Sequence, residues 1–169
     1  MSGYDLDVLV IGGGGSGGFT AASTALKSGA RVGMVEAGRL GGLCILAGCM
    51  PSKTLLHGAA LVSQMAVPGG RAYPRLLDLK RGVVEYLAGA RVRAVDEKMA
   101  QGLILHRGRA VFVDPHTVEV DGRPVSAAQI VIATGSREAW PAVAGIEQAG
   151  CLVAESFMDL PELPGSLVV

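Results

Sequence analysis

The sequence lacks the features that mark several large classes of protein. The 15 lysines and arginines balance the 15 aspartates and glutamates, so the formal net charge is zero and gives no reason to expect a nucleic-acid partner. We find no run of about eighteen apolar residues and therefore predict no membrane-spanning helix. The N-terminus also lacks the basic, then apolar, then small-residue pattern of a secretion signal. These absences together predict a cytoplasmic protein.

Metal ligands are also scarce. A structural zinc site needs about four ligands, and the spacing of the available side chains disfavours zinc as an alternative. They are Cys44, Cys49, Cys151, His57, His106 and His116. We predict no metal site. Cys151 stands alone in an apolar setting and is expected to be buried.

The sequence does have two cysteines, Cys44 and Cys49, five positions apart in a glycine-rich stretch that leads to Pro51 and Lys53. Four intervening residues allow the two sulfurs to meet across one turn, and so short a loop adds little stability as a crosslink. Pro51 suits the first turn of a helix, and a cysteine near a helix N-terminus is expected to have a lowered thiol pKa. The pattern favours a reactive dithiol, with two inert core thiols as the alternative.

The N-terminal region gives a second signal. An apolar run at 7–11 predicts a buried strand, which leads into six glycines and one serine at 12–18, a helix over about 19–28, and a strand at 31–36 that ends in Glu36. Strand, glycine loop, helix, strand and acidic residue form a dinucleotide-binding βαβ unit, whose helix N-terminus faces the phosphates. A merely flexible loop is the alternative. No Gly-Lys-Ser/Thr follows the glycines, which disfavours a P-loop.

The rest of the chain divides by periodicity. Residues 54–101 predict two helices with a break at 67–70 and an interruption or bend at Gly89. From residue 102 the period changes to two, and short strands at 103–106, 110–113 and 117–120 predict a β-meander. A buried strand at 129–132 then runs into Thr134 and Gly135.

One run, GGLCILAGCMPSK at 41–53, resembles the redox-active segment of the flavin-dependent pyridine nucleotide-disulfide oxidoreductases, the family of glutathione reductase, lipoamide dehydrogenase and mercuric reductase. Leu43 replaces the family's threonine. The run ATGS at 133–136 is similar to the family's second FAD motif. The resemblance implies an α/β fold, a Rossmann-like FAD-binding fold with a parallel sheet, helices and a small β-meander. It covers only the first part of the family's architecture.

The resemblance also implies roles for single residues. Cys49 is expected to be the flavin-side thiolate and Cys44 the interchange thiol, while Glu36 would bind the adenosine ribose and Lys53 would lie near flavin N5. Two registers, Gly12-Gly14-Gly17 and Gly13-Gly15-Gly18, satisfy G-x-G-x-x-G, and the family's spacing to Glu36 favours the second. The remaining FAD-binding positions implied by the resemblance are Gly13, Gly15, Ser16, Gly17, Gly18, Gly41, Gly42, Ala110, Ala133, Thr134 and Gly135.

By this resemblance, residues 1–160 are the first segment of an FAD-binding domain, and residues 161–169 are a linker and the first strand of an NAD(P)H-binding domain that is missing here. The implied activity is that of an NAD(P)H-dependent flavin disulfide oxidoreductase similar to dihydrolipoyl dehydrogenase, with a part in redox homeostasis. It would pass electrons through FAD to a Cys44–Cys49 disulfide. The full-length enzyme is expected to be a homodimer that acts on a small disulfide or related substrate, whose identity stays open. The alternative is a truncated FAD-binding module without turnover, and we expect this segment alone to be inactive.

Overall fold

A computed structural model describes residues 3–65 and 68–169. The chain divides into two compact units. The first takes in Met1–Gly42 and Ala88–Gly135, and the second takes in Leu43–Leu87 and Ser136–Val169. The fold is α/β, as predicted, and its sheet lies in the first unit.

The sheet has six strands in the order β3-β2-β1-β6-β5-β4. Its strands are β1 (Leu6–Ile11), β2 (Val32–Glu36), β3 (Ile104–Arg107), β4 (Ala110–Asp114), β5 (Thr117–Val120) and β6 (Arg123–Ile132). Strands β3, β2, β1 and β6 are parallel to their neighbours, while β4, β5 and the start of β6 pair in antiparallel fashion. The predicted parallel sheet and small meander are therefore both present.

Two strand assignments differ from the prediction. The run at 103–106 was expected to open the meander, but β3 pairs in parallel with β2, with Gly33 opposite Ile104. Strand β6 is longer than the predicted 129–132. Its first part pairs with β5, with Val118 opposite Val125, and its last part pairs with β1, with Ile11 opposite Ile132. One strand therefore joins the parallel core to the meander.

The core of the first unit follows from the apolar composition of the central strands. A parallel strand covered on both faces is apolar throughout, and Leu9 and Val10 of β1 and Val32 and Met34 of β2 are fully buried. Helix α1 (Ser16–Lys27) packs Ala22 against one face of this sheet. The βαβ unit predicted from residues 7–36 is confirmed, with the helix starting three residues earlier than expected.

The remaining helices are α2 (Gly42–Leu46), α3 (Cys49–Gln64), α4 (Gly69–Ala100) and α5 (Ala154–Phe157). Two helices were predicted over 54–101, and α3 and α4 are these two. Residue 67 of the predicted break lies outside the described residues. Helix α4 contains Pro74 and continues through Gly89, so the predicted interruption is wrong, while the alternative of a bend at Gly89 stays a prediction.

In the second unit, α3, the N-terminal part of α4 and residues 154–164 line a mainly apolar cavity of about 800 Å³. Residues 161–169 form neither helix nor strand. Their assignment to a linker and the first strand of a further domain stays a prediction.

One finding differs from the expected absence of a long apolar run. Gly42–Gln64 has the length and mean hydropathy, 1.3, of a membrane-spanning helix, and 11% of that apolar window is buried. The stretch is not one helix, because α2 ends at Leu46 and α3 begins at Cys49. A span needs every backbone group bonded within the helix, and the break at 47–48 interrupts that ladder.

Candidate functional site

The candidate dinucleotide site lies in the first unit, where the carboxyl ends of β1, β2 and β6 meet at one edge of the sheet. Ile11 at the end of β1 pairs with Val35 on one side and Ile132 on the other. The loops that leave these strands therefore start side by side. In parallel sheets this edge is where ligands bind.

The glycine loop is packed too tightly for side chains at several positions. A Cβ on Gly12, whose φ is +86°, would lie 2.5 Å from the carbonyl oxygen of Ala133, and a Cβ on Gly13 would overlap the side chain of Met34. A Cβ on Gly18 would overlap the carbonyl of Gly12, whereas Gly17 has open space around it. The close contact at Gly18 agrees with its place as the third glycine of the register Gly13-Gly15-Gly18, and the register itself stays a prediction. Gly12 admits the close approach of the turn after β6.

Helix α1 presents its N-terminus at the same edge. Gly15 is the N-cap and makes no side-chain cap, and the first turn, which begins with Ser16 and Gly17, holds no acidic residue. The first backbone N–H groups of a helix have no partner within it. Uncapped by a side chain, this end suits the phosphates of a dinucleotide.

Glu36 links the loops at this edge through both carboxylate oxygens. Its Oε2 accepts a hydrogen bond from the backbone N–H of Gly14 at 2.7 Å, and its Oε1 accepts one from the N–H of Gly38 at 2.9 Å. A carboxylate oxygen has two acceptor sites. Each oxygen of Glu36 therefore keeps one site for a hydroxyl of a bound ribose.

The two glycines before the dithiol complete the loop. The N–H of Gly41 donates to the carbonyl of Gly14 at 3.1 Å. Gly42 has φ +64°, and a Cβ there would lie 2.5 Å from Cα of Gly15. Backbone thus packs on backbone at Gly42, while Gly41 has φ +142°, and both conformations favour glycine.

The other predicted FAD-binding residues of this unit lie at or near the same edge. The N–H of Ala133 donates to the carbonyl of Ile11 at 2.8 Å, and the exposed residues Thr134 and Gly135 follow directly. Ala110 opens β4, two residues after Gly108, whose N–H donates to the carbonyl of Glu36 at 3.1 Å. The residues present fit a dinucleotide, because glycines leave room for it, amides face its phosphates and Glu36 retains acceptors for its ribose.

The dithiol lies in the second unit, where both cysteines are free thiols. Cys44 is in α2, and exposed Cys49 is the first residue of α3, after the N-cap Gly48. Pro51 lies in the first turn of α3, as predicted. Cys151 is exposed, so the expectation that it is buried is wrong.

The two thiols interact directly. The pKa of Cys44 is raised, first by its hydrogen bond with the Cys49 thiol, then by burial and by the charge of Cys49. A hydrogen bond from the backbone N–H of Cys49 and the positive charge of Lys53 oppose the shift. The lowered thiol pKa expected at the N-terminus of the helix that contains Pro51 concerns α3, which does not include Cys44, and it stays a prediction. Exposed Lys53 follows Cys49 by about one helical turn and is the cation that acts on the pair.

Among residues 3–65 and 68–169, no group of three or more Cys, His, Asp and Glu side chains is placed to hold a metal ion. Sequence reasoning named Gly14 only in the disfavoured register and did not identify Gly38 or Arg107, and all three belong to the bonding around Glu36. Gly14 lies inside the recognisable glycine run. Arg107 had no signal in the sequence, because its partner lies 69 residues away.

Comparison with known proteins gives a consistent result. The family model for pyridine nucleotide-disulphide oxidoreductases matches residues 6–163. Mercuric reductase of Staphylococcus aureus is 33% identical over 174 residues, which cover 98% of this chain and 31% of that protein. Glutathione reductase of Burkholderia cepacia is 33% identical over 178 residues, which cover 100% and 38%.

Among solved structures, the HOCl-induced flavoprotein disulfide reductase RclA from Escherichia coli superimposes with a TM-score of 0.79 at 31% identity. The match covers 94% of this chain and 35% of that one. The chain thus spans about a third of the length of the proteins it resembles, with shares from 31% to 38%.

Proposed function

This chain belongs to the pyridine nucleotide-disulphide oxidoreductase family, and from that premise we propose that it is the amino-terminal FAD-binding segment of an NAD(P)H-dependent disulfide reductase. The observation that carries the proposal is the edge of the sheet in the first unit. There the glycine loop, the uncapped N-terminus of α1 and the carboxylate of Glu36 lie together. When bound, FAD supplies two-electron transfer between NAD(P)H and the dithiol.

The loop residues bind and orient the cofactor in this proposal. Amides of the first turn of α1, at Ser16 and Gly17, bind the diphosphate, and Glu36 accepts hydrogen bonds from the adenosine ribose. Gly13, Gly15, Gly18, Gly41 and Gly42 leave space for these contacts. Ala110, Ala133, Thr134 and Gly135 complete the proposed binding residues, with Lys53 near the isoalloxazine.

The dithiol performs the exchange with substrate. The Cys44 thiolate attacks one sulfur of a substrate disulfide, forms a mixed disulfide and releases the first substrate thiolate. The Cys49 thiolate then attacks the Cys44 sulfur, which forms the Cys44–Cys49 bond and releases the second thiolate. Two thiols of the protein are oxidised and one substrate disulfide is reduced to two thiols. The raised pKa of Cys44 means that a base must take its proton, and we assign that base to a histidine of the partner subunit in a homodimer.

The finer aspects of function are proposals of the same kind. The substrate is a small disulfide, such as a glutathione-like disulfide or lipoamide as in dihydrolipoyl dehydrogenase, or a thiol-binding metal ion such as mercuric ion. The names of the relatives, mercuric reductase and glutathione reductase, support these classes. A cycling dithiol needs a reducing compartment, so we propose a cytoplasmic location.

The proposal is tested by adding FAD to the purified 169-residue chain and recording the visible spectrum before and after two-electron reduction by dithionite. We expect bound oxidised flavin and, after reduction, a long-wavelength absorbance band from the Cys49 thiolate beside the flavin. Cys49→Ser should lose the band and keep the flavin, and the matched Cys151→Ser should keep both. Bound flavin with a band that survives in Cys49→Ser would contradict the assignment of Cys49.

A further inference from the structure

Arg107, the last residue of β3, binds the turn that holds Glu36. Its Nη1 donates a hydrogen bond to the carbonyl of Gly38 at 2.8 Å. The N–H of the same Gly38 donates to Oε1 of Glu36 at 2.9 Å. Both backbone polar groups of Gly38 are therefore bonded. Its carbonyl oxygen accepts from the guanidinium of Arg107, and its N–H donates to the carboxylate of Glu36.

This arrangement continues to the glycine loop. The other oxygen of Glu36 accepts from Gly14 at 2.7 Å, and the carbonyl of Glu36 accepts from the N–H of Gly108 at 3.1 Å. Four segments meet here: the loop after β1, the end of β2, the turn after β2 and the end of β3. We call Gly14, Glu36, Gly38, Arg107 and Gly108 the Glu36 network.

We propose that Arg107 is a positioning residue for adenosine recognition, acting on Glu36 through Gly38. This inference rests on the proposed FAD-binding function and adds a residue to it. A glutamate side chain loses rotamer freedom when it is ordered, so a carboxylate already held by two amides binds a ribose without paying that ordering cost. Arg107 keeps one of those two amides in place.

The geometry distinguishes this positioning role from a direct ion pair between Arg107 and Glu36. In the described part of the chain, no ion pair joins Arg107 to Glu36, and the guanidinium binds a carbonyl oxygen instead. The carboxylate therefore keeps its free acceptor sites for hydroxyl donors. A guanidinium placed on the carboxylate itself would compete with the ribose for those sites.

The test compares Arg107→Met with Arg109→Met, an exposed arginine two residues further along, in the full 169-residue chain. Isothermal titration calorimetry measures the dissociation constants of FAD, ADP and FMN, since FMN has no adenosine. We expect Arg107→Met to weaken the binding of FAD and of ADP by about tenfold, the size of one hydrogen bond to a charged partner. The affinity for FMN should stay unchanged. Arg109→Met should change none of the three. Unchanged FAD and ADP affinity in Arg107→Met, or an equal loss for FMN, would overturn the proposal.

A second measurement does not need the cofactor. Amide hydrogen exchange in the ligand-free chain reports the bonds that Gly14 and Gly38 make to Glu36. If Arg107 positions Glu36, exchange at both amides is faster in Arg107→Met than in Arg109→Met; equal rates in the two variants would overturn the role of Arg107. Failure of the unmodified chain to bind FAD or ADP would instead count against the proposed function, and the exchange rates would then decide the role of Arg107 alone.

Discussion

Cys44 is the residue whose chemistry depends most directly on one neighbour. Its pKa is raised above the usual value of a thiol, and the hydrogen bond with Cys49 is the largest cause. At neutral pH a raised pKa lowers the thiolate fraction and hence the rate of alkylation. Removal of the Cys49 side chain leaves only burial to raise the pKa, while the backbone N–H of residue 49 and the charge of Lys53 still lower it.

We therefore predict that Cys49→Ala shifts the alkylation profile of Cys44 by iodoacetamide to lower pH. The measurement is the pH dependence of the alkylation rate, with Cys44 followed by peptide mass spectrometry in a Cys151→Ala background. That background alone is the control. Adding Lys53→Met to Cys49→Ala should move the profile back to higher pH. A profile that does not move in Cys49→Ala would show that the hydrogen bond does not set the pKa.

At the scale of single residues, sequence reasoning identified positions whose reason is local. Gly18 sits at a fixed distance from β1, and its contact with the carbonyl of Gly12 follows from the βαβ pattern. Arg107 was missed because an arginine that binds a distant backbone carbonyl leaves no pattern in sequence. The raised pKa of Cys44 comes first from its contact with the Cys49 thiol, which the spacing of the cysteines does not specify.

At the scale of elements, the strands and the longer helices were predictable, while the short helices α2 and α5 and the pairing of strands were not. Residues 103–106 and 110–113 are both short, mainly apolar runs, yet β3 joins β2 in the parallel core and β4 joins β5 in the meander. Periodicity gives the faces of a strand and not its neighbour. The two partners of β6 depend on residues far away in the chain, which no local pattern contains.

A buried lysine in the second unit joins α4 to the segment after α5. Lys80 has a side chain that is 4% exposed, and its Nζ donates to the carbonyl of Met158 at 2.8 Å and pairs with the carboxylate of Asp159. Removal of the partner leaves an uncompensated buried ammonium. This loses more stability than replacing the lysine itself by an apolar residue of similar shape. Asp159 itself is 62% exposed, which screens the pair and reduces this cost.

We expect Asp159→Ala to lower the free energy of unfolding by about 1–2 kcal/mol, and Lys80→Met to lower it less. Urea denaturation measures both. Asp78→Ala is the matched control, because Asp78 faces Arg81 at 3.4 Å with both side chains exposed, and it should change stability by less than about 0.5 kcal/mol. If Asp159→Ala costs no more than Asp78→Ala, the buried lysine does not depend on Asp159.

At the scale of the whole molecule, the proposed adenosine-binding residues and the dithiol belong to different compact units. Glu36 and its partners lie in the first unit, and Cys44 and Cys49 lie in the second. Their functions should therefore be separable by mutation. This separation was not predictable, because in sequence Gly42 is only two residues from Cys44.

We predict that Cys44→Ser with Cys49→Ser leaves the dissociation constant of ADP unchanged. Glu36→Gln should weaken the binding of ADP by about tenfold, since the amide NH2 cannot accept in place of the carboxylate oxygen that it replaces, and the bond from Gly14 or from Gly38 is lost. The thiols of this variant should react with an aromatic disulfide reagent at the rate of the unmodified chain. Calorimetry measures the dissociation constant of ADP, and stopped-flow absorbance measures the rate of the thiol reaction. Loss of ADP binding in the double cysteine variant would show that the two units do not act separately.

The place of β6 beside β1 also has a consequence for synthesis of the chain. Asp5, just before β1, bonds to Ser126 of β6 across 121 residues. At about 5–20 residues per second, translation leaves β1 without this neighbour for roughly 6–24 seconds. During that interval the central strand of the sheet has an open edge of the kind that aggregates. The nascent chain therefore has a period of vulnerability that ends only when residue 132 has left the ribosome, and chaperones that bind apolar strands would act on it then.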